Sequence, residues 1–306
     1  MINFYFDSHS FYLIFGSLME EFMIKYMCCK DVGIEKVYAA FKSGFSDYIV
    51  KIEMPLDKFI KHFFGPEQNS LEYSFIALDN DEPVGLILGG IKNYEGIKTI
   101  RCGTLCMNPE YRGTGISKEL FKLHKQIGIE NQCKQLFLEV IVGNDRAIKF
   151  YNNMGYEKIF DICYFSTEDT TRIKSLESLW TDIRKVDYKT IIELSYETGD
   201  IHTNWQNEMD YVEKLEGLHF YGAYDTSELV GGLVISPSGK IFFVWTRNSY
   251  RDKGIATSLI KRAVMELQLK KITISFPNNW RLEGYLKHMN FEREKLSQYE
   301  MYLTLK

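Results

Sequence analysis

One stretch of this chain is written twice. Asn108-Pro109-Glu110-Tyr111-Arg112-Gly113-Thr114-Gly115-Ile116-Ser117 returns as Asn248-Ser249-Tyr250-Arg251-Asp252-Lys253-Gly254-Ile255-Ala256. Each copy follows a β-rich apolar run, Thr104–Met107 or Ile241–Thr246, and each runs into an amphipathic helix. A repeat at domain-sized spacing carries its own sheet and can fold by itself, unlike the unit of a solenoid. The pattern inside it, Arg-x-x-Gly-x-(small) between a strand and a helix, also has chemical content. Successive backbone N–H groups and the positive end of the helix make a seat for an anion. Gly113 and Gly115 relax the φ limits of the turn and let the backbone come close to a phosphate.

A chain of 306 residues suits two domains of about 150 residues. With 15% aromatics it can fill two sizeable cores. A net charge of −4 gives no global basic field, which argues against nucleic acid as a partner. The six cysteines (28, 29, 102, 106, 133 and 163) form no Cys-x-x-Cys pair and have no matching His spacing. They read as reduced thiols of a cytoplasmic protein, with no metal site. Phe11–Leu18 is apolar, but it is too short to span a bilayer and no Lys or Arg precedes it. Residues 1–22 are therefore expected to be an added amphipathic helix or sequence upstream of a start at Met19 or Met23, with no membrane association.

The periodicities predict the same order of elements in both halves. In residues 23–166 these are strand Met23–Cys29, a helix from Gly33 to Lys42, and a second helix from Pro55. Strands Tyr73–Leu78, Val84–Ile91 and Ile97–Met107 follow, then helix Gly115–Ile129, strand Leu136–Val142, helix Asp145–Met154 and a closing strand Ile159–Ser166. Residues 167–177 are polar and read as a linker. In residues 178–306 the expected helices are Asp187–Glu197, Asn204–Leu215, Ile255–Leu269 and Arg281–His288. The expected strands are Phe220–Tyr224, Leu229–Ile235, Ile241–Thr246, Ile272–Phe276 and Gln298–Leu305.

This order and the repeated loop resemble the GNAT acyl-CoA N-acyltransferases, here in tandem. The resemblance implies an α/β fold with a mixed sheet, two GNAT-like domains, and acetyl-CoA as cosubstrate. Arg112, Gly113, Thr114, Gly115, Ile116 and Ser117 then form the pyrophosphate loop, with Arg112 mainly shaping it. Arg251, Asp252, Lys253, Gly254, Ile255 and Ala256 are the second loop and match the pattern more closely, since Ser117 departs from the usual Gly or Ala. A further landmark, Asn-x-x-Ala-x-x-x-Tyr-x-x-x-Gly-(aromatic), is met by Asn144, Ala147, Tyr151, Gly155 and Tyr156.

By the same resemblance Tyr151 is the general acid that protonates the departing thiolate. The Met107 N–H meets the oxyanion where two strands splay, and Asn144 lies in the cosubstrate site. Direct transfer needs an uncharged amine. Neutralising a lysine amine at pH 7 costs about 4–5 kcal/mol and an α-amine only about 1. Glu139, twelve residues before Tyr151, occupies the place of the base in the branch that acetylates ribosomal-protein N-termini. Its plain alternative is a strand glutamate paired with Arg101 or Arg146. Cys106 has no His at a suggestive spacing and reads as packing.

Aligned on Asn279, the second copy has Ile274 at the position of Glu139 and Leu286 at that of Tyr151, with Asn290 for Gly155 and Ser249 for Pro109. Neither hydrocarbon exchanges a proton, so the first domain is expected to be catalytic. GNAT acceptor pockets are lined by the segment between the first two helices, here Phe41–Glu53. In it, Asp47 and Tyr48 offer a carboxylate and a phenol to a small-molecule or peptide amine. The alternatives are an acyltransferase for another acyl group or acceptor, and a CoA-binding regulatory module without turnover.

Overall fold

The computed structural model describes residues 3–7, 10–14, 24–48, 53–177, 179–180, 182–199 and 201–306. The chain divides into two compact units, Met1–Ile159 with Glu300–Lys306, and Phe160–Tyr299. No helix among the described residues is long and apolar enough to cross a membrane.

The first unit opens on strands β1 (Asn3–Asp7), β2 (Ser10–Ile14) and β3 (Ile24–Cys28), each antiparallel to the next. The N-terminal segment thus supplies two strands in place of the expected helix. Its run of Phe, Tyr, Leu and Ile favours a pleated surface. Residues 15–23, which include part of the apolar run, lie outside the described residues. Helices α1 (Ile34–Gly44) and α2 (Leu56–Phe63) come next, then β4 (Ser70–Asp79), β5 (Glu82–Tyr94) and β6 (Ile97–Met107). The β4–β5 connection is a two-residue hairpin loop with Asn80 and Asp81 both at positive φ, the geometry that matches strand twist. After α3 (Ile116–Glu130), β7 (Gln135–Ile141) and α4 (Asp145–Asn153) complete the unit's inner elements.

Spacing explains why these helices bury the faces they do. In α1, Val37, Ala40, Phe41 and Gly44 recur at three- and four-residue steps and are all buried. They pack with Phe59, Ile76, Leu86 and Cys106 into one core, where the Phe41 and Phe59 ring centroids are 4.8 Å apart. Helix α3 buries Ile116, Leu120, Phe121, His124 and Gly128 against β4, β5 and β6.

The second unit contains β8 (Glu157–Thr167, from Phe160), α5 (Thr171–Ser175), β9 (Ile183–Lys185), α6 (Tyr188–Ser195) and α7 (Met209–Val212). These are followed by β10 (His219–Asp225), β11 (Glu228–Ile235), β12 (Lys240–Thr246), α8 (Ile255–Leu267), β13 (Ile272–Pro277), α9 (Trp280–His288) and β14 (Glu292–Thr304). The helix expected over Asn204–Leu215 is broken. A 3-10 turn, Trp205–Asn207, is followed by an extended Glu208 and then by α7. Trp205 is fully buried, and the Asn207 side chain donates to the Ser275 carbonyl at 2.6 Å, pinning the turn to β13.

The closing strands fall differently from the sequence expectation. β8 pairs antiparallel with β13, from Ile272↔Thr167 to Pro277↔Ile162, and so serves the second unit. Residues from Glu300 onward belong to the first unit, where the Leu305 N–H donates to the Lys134 carbonyl at 2.8 Å. The Tyr302 ring packs there on Phe137 at 5.0 Å.

Candidate functional site

Both repeated loops turn through positive-φ residues, as the glycines in them suggest. In the first, Gly113 and Gly115 have φ of +80° and +93°, and Gly115 caps α3 in the left-handed region. Apart from their own chain neighbours, no described heavy atom lies within 4 Å of a Cβ built on either glycine. Asn108 accepts from the Glu110 N–H at 3.0 Å, and the Thr114 hydroxyl donates to the Tyr111 carbonyl at 2.6 Å. The Tyr111 hydroxyl donates to Asp79 at 2.7 Å and latches the loop to the β4–β5 turn. That bond pushes the phenol up to about 12. The second unit repeats the latch, with the Tyr250 hydroxyl donating to Asp225 at 2.9 Å.

Next to each loop a parallel strand pair splays. The β6–β7 pairing covers only Thr99–Arg101 against Gln135–Phe137, and the β12–β13 pairing only Lys240–Ile241 against Thr273–Ile274. At the end of β6 the Asn108 N–H donates to the Val84 carbonyl at 2.9 Å. N–H groups alternate direction along a strand, so that of Met107 turns away from β5, toward the side of β7 and past the end of that pairing. Gly44 of α1 lies against this point. A Cβ there would stand 2.5 Å from the Cys106 sulfur and 3.1 Å from the Met107 nitrogen.

Tyr151 is carried by α4, whose first turn is capped by Asn144 Oδ1 accepting from the Ala147 N–H at 3.3 Å. The tyrosine is buried, with its ring on Phe150 and Tyr156. Burial, then the neighbouring Cys102, Tyr156 and Tyr48, hold the phenol well above its ordinary value. It therefore keeps its proton at neutral pH.

Glu139 neither faces solvent nor stands alone. Its side chain is 2% exposed, and its Oε2 accepts from Arg101 Nη2 at 2.5 Å. Arg101 Nη1 reaches Glu67 Oε2, also at 2.5 Å. The sequence named Arg101 as one possible partner of Glu139. Glu67, in the turn after α2, and Glu300 of β14 could not be placed from sequence, because both are remote in the chain. Burial raises the Glu139 carboxyl most; Arg101 lowers it, and Glu300 and Glu67 raise it again, for a net upward shift.

Asp47 sits across from the loop instead of in an open pocket. Both its oxygens accept from Arg112, Oδ1 from Nη2 at 2.5 Å and Oδ2 from Nη1. Arg112 Nη2 also approaches the Gly44 carbonyl at 3.5 Å. Residues 49–52 of the expected acceptor segment lie outside the described residues.

The second copy keeps the frame with different side chains. Its 3-10 turn starts at Asn248, so Asn248, not Ser249, stands where Pro109 does, and Arg247 stands in the place of Asn108. Arg247 is held by Glu197 at 2.5 Å and by Glu228, while Arg251 Nε donates to the Thr246 carbonyl at 3.4 Å. Asp252 takes φ +62°, Lys253 lies over the Tyr250 ring, and Leu179 comes within 2.9 Å of a Cβ built on Gly254. Asn279 caps α9, and Asn290 at φ +66° replaces Gly155 at φ +94°. Ile274 and Leu286 belong to the hydrophobic core.

The sequence matches the Acetyltransferase (GNAT) family over residues 34–156 and again over 180–291. The chain belongs to that family. It is an acyltransferase built of two GNAT repeats. N-alpha-acetyltransferase 30 of Schizosaccharomyces pombe is 30% identical over 104 residues, 33% of this chain and 67% of that protein. The enzyme of the same name from Dictyostelium discoideum is 26% identical over 105 residues, 34% of this chain and 57% of that protein. A crystallised tandem GNAT protein from the clavulanic acid biosynthesis pathway shares the fold, with a TM-score of 0.67 at 12% identity over 92% of this chain and 98% of that one.

Proposed function

We propose that this protein transfers the acetyl group of acetyl-CoA directly to a primary amine, the α-amine of a peptide in first place, and that its first repeat does the chemistry. One observation carries the assignment. A buried phenol, Tyr151, and a buried carboxylate, Glu139, accompany the splayed strands of the first unit, whereas the matching positions of the second are core hydrocarbon. The similarity to enzymes named N-alpha-acetyltransferase favours an α-amine, which is also the cheaper amine to neutralise.

In this reading the pyrophosphate rests on the N–H groups of Arg112–Ser117 at the start of α3. The Met107 N–H receives the oxyanion. The neutral amine attacks the thioester carbon, forming the C–N bond as the C–S bond breaks. The leaving sulfur takes the Tyr151 proton, and the amine's surplus proton passes through water to Glu139. Exchange with solvent then returns both groups to their starting forms. Asp47 and Tyr48 shape the acceptor side, Asp47 through Arg112.

Thiol release from acetyl-CoA tests this with three acceptors: a free peptide, the same peptide blocked at its N-terminus with an internal lysine, and a small amine. Turnover is expected with the free peptide and is expected to be lost in Tyr151→Phe. Tight CoA binding without turnover on any amine would overturn the proposal.

A further inference from the structure

Glu139 is one of two carboxylates held by a single buried guanidinium. Arg101 of β6 divides its two terminal nitrogens between Glu67 and Glu139, 2.5 Å from each, and is itself 5% exposed. Glu300 of β14 is fully buried and acts electrostatically on Glu139. Glu67 and Glu139 share this guanidinium and Glu300 adds a third potential negative charge beside Glu139, so the state of each depends on the others.

We infer that Arg101 is a positioning residue that decides the protonation state in which Glu139 meets the acceptor amine, and that Glu67 is the rival carboxylate for the same guanidinium. The inference rests on the reading of Glu139 as the base. Arg101 approaches from β6, Glu67 from the turn after α2 with His62 of α2 at 3.6 Å from it, and Glu300 and Tyr302 from β14. Glu95 and Tyr94 act on Tyr302 from the β5–β6 connection. Burial pushes the Glu139 carboxyl up, and Arg101 is the one group of this set that pulls it down. A base must be ionised to accept a proton, so the guanidinium keeps Glu139 in working form. Whatever fraction of it Glu67 commands is withheld from Glu139.

Opposite shifts follow for two neighbouring substitutions. Glu67→Gln removes a rival and a negative neighbour, so the acid limb of kcat/KM for the peptide moves to lower pH. Arg101→Met removes the one positive charge, so the same limb moves up by about 1–3 pH units, the size usual for loss of an adjacent opposite charge. The acceptor's own titration is common to every variant and cancels in the comparison.

The experiment is the pH dependence of kcat/KM at saturating acetyl-CoA for wild type, Glu67→Gln, Arg101→Met and Glu139→Gln, with thermal melts alongside. Expected are a downward limb, an upward limb and, for Glu139→Gln, loss of the enzyme-derived limb. If Arg101→Met fails to fold, Glu67→Gln decides alone. An unmoved or raised limb in Glu67→Gln, with the limb abolished in Glu139→Gln, overturns the inference and leaves Glu139 as base. A limb that survives Glu139→Gln overturns the base assignment, and the inference with it.

Discussion

Arg112 of the first anion-seat loop holds both carboxylate oxygens of Asp47, three residues past the end of α1. A residue expected on the acceptor side ties the segment after α1 to the repeated loop. In the proposed reading this pairing leaves the backbone N–H groups, not the Arg112 side chain, to meet the phosphates. Asp47 is exposed, and the pair is a bidentate one at the surface, so screening by solvent keeps its contribution to stability small. Asp47→Asn is expected to leave the melting temperature nearly unchanged and to raise KM for the peptide several-fold. The dissociation constant for CoA should move by less than about threefold, within the range of a surface pair. Calorimetric titration with CoA beside steady-state kinetics checks the split, and a large loss of CoA affinity would contradict it.

Gly44 is required by closeness, not by φ. A methyl group there would enter the van der Waals envelope of Cys106 and press on the Met107 nitrogen. Cys106 is itself buried between α1 and the sheet, so neither side can yield cheaply. Gly44→Ala is expected to destabilise the protein by about 1–3 kcal/mol. It should also lower kcat more than the lost stability explains, because the proposed oxyanion donor shifts. Denaturant unfolding beside kcat, measured where the variant is fully folded, separates the two effects.

Tyr151 offers a cleaner substitution. Its ring packs on Phe150 and Tyr156, and those contacts survive removal of the hydroxyl. Tyr151→Phe is expected to fold normally and to lose about 10²–10⁴-fold in kcat, the usual worth of a positioned acid. The raised phenol further predicts that the wild-type rate shows no basic limb from this residue below the ordinary tyrosine range. A basic limb near pH 8 that disappears in Tyr151→Phe would contradict that environment.

What the sequence revealed was local. The glycine turns of the repeated loops and the apolar spacing of the helices each depend on residues a few positions apart, and both could be read along the chain. The features that escaped are long-range. Arg101 joins Glu67 to Glu139 across 34 and 38 residues, and Glu300 enters from the other end of the chain. The exchange of closing strands β8 and β14 is equally invisible, since either strand has the alternation needed to close either sheet. The break at Glu208 had no Gly or Pro to announce it; a tertiary hydrogen bond from Asn207 holds the turn before it.

His124 on α3 gives a stability prediction independent of the catalytic reading. It is fully buried against the sheet, and neither ring nitrogen has a hydrogen-bond partner among the described residues. Burial depresses it from 6.5 to about 3. In the unfolded chain it binds a proton near pH 6.5, whereas the folded protein resists doing so until about pH 3. Between these values the unfolded state holds more protons, so stability rises with pH. Its titration therefore costs nothing above about pH 6.5. As the pH falls from there toward 3 it withdraws on the order of 4 kcal/mol. His124→Leu removes both the titration and an unsatisfied buried donor, with similar volume in the Gly89-facing slot. The variant is expected to melt at a similar or higher temperature at pH 7.5 and to exceed wild type by a widening margin at pH 5 and pH 4. Parallel melting curves across that range, with a constant offset between the two proteins, would mean that the imidazole takes up its proton in the folded state and is not sealed from water.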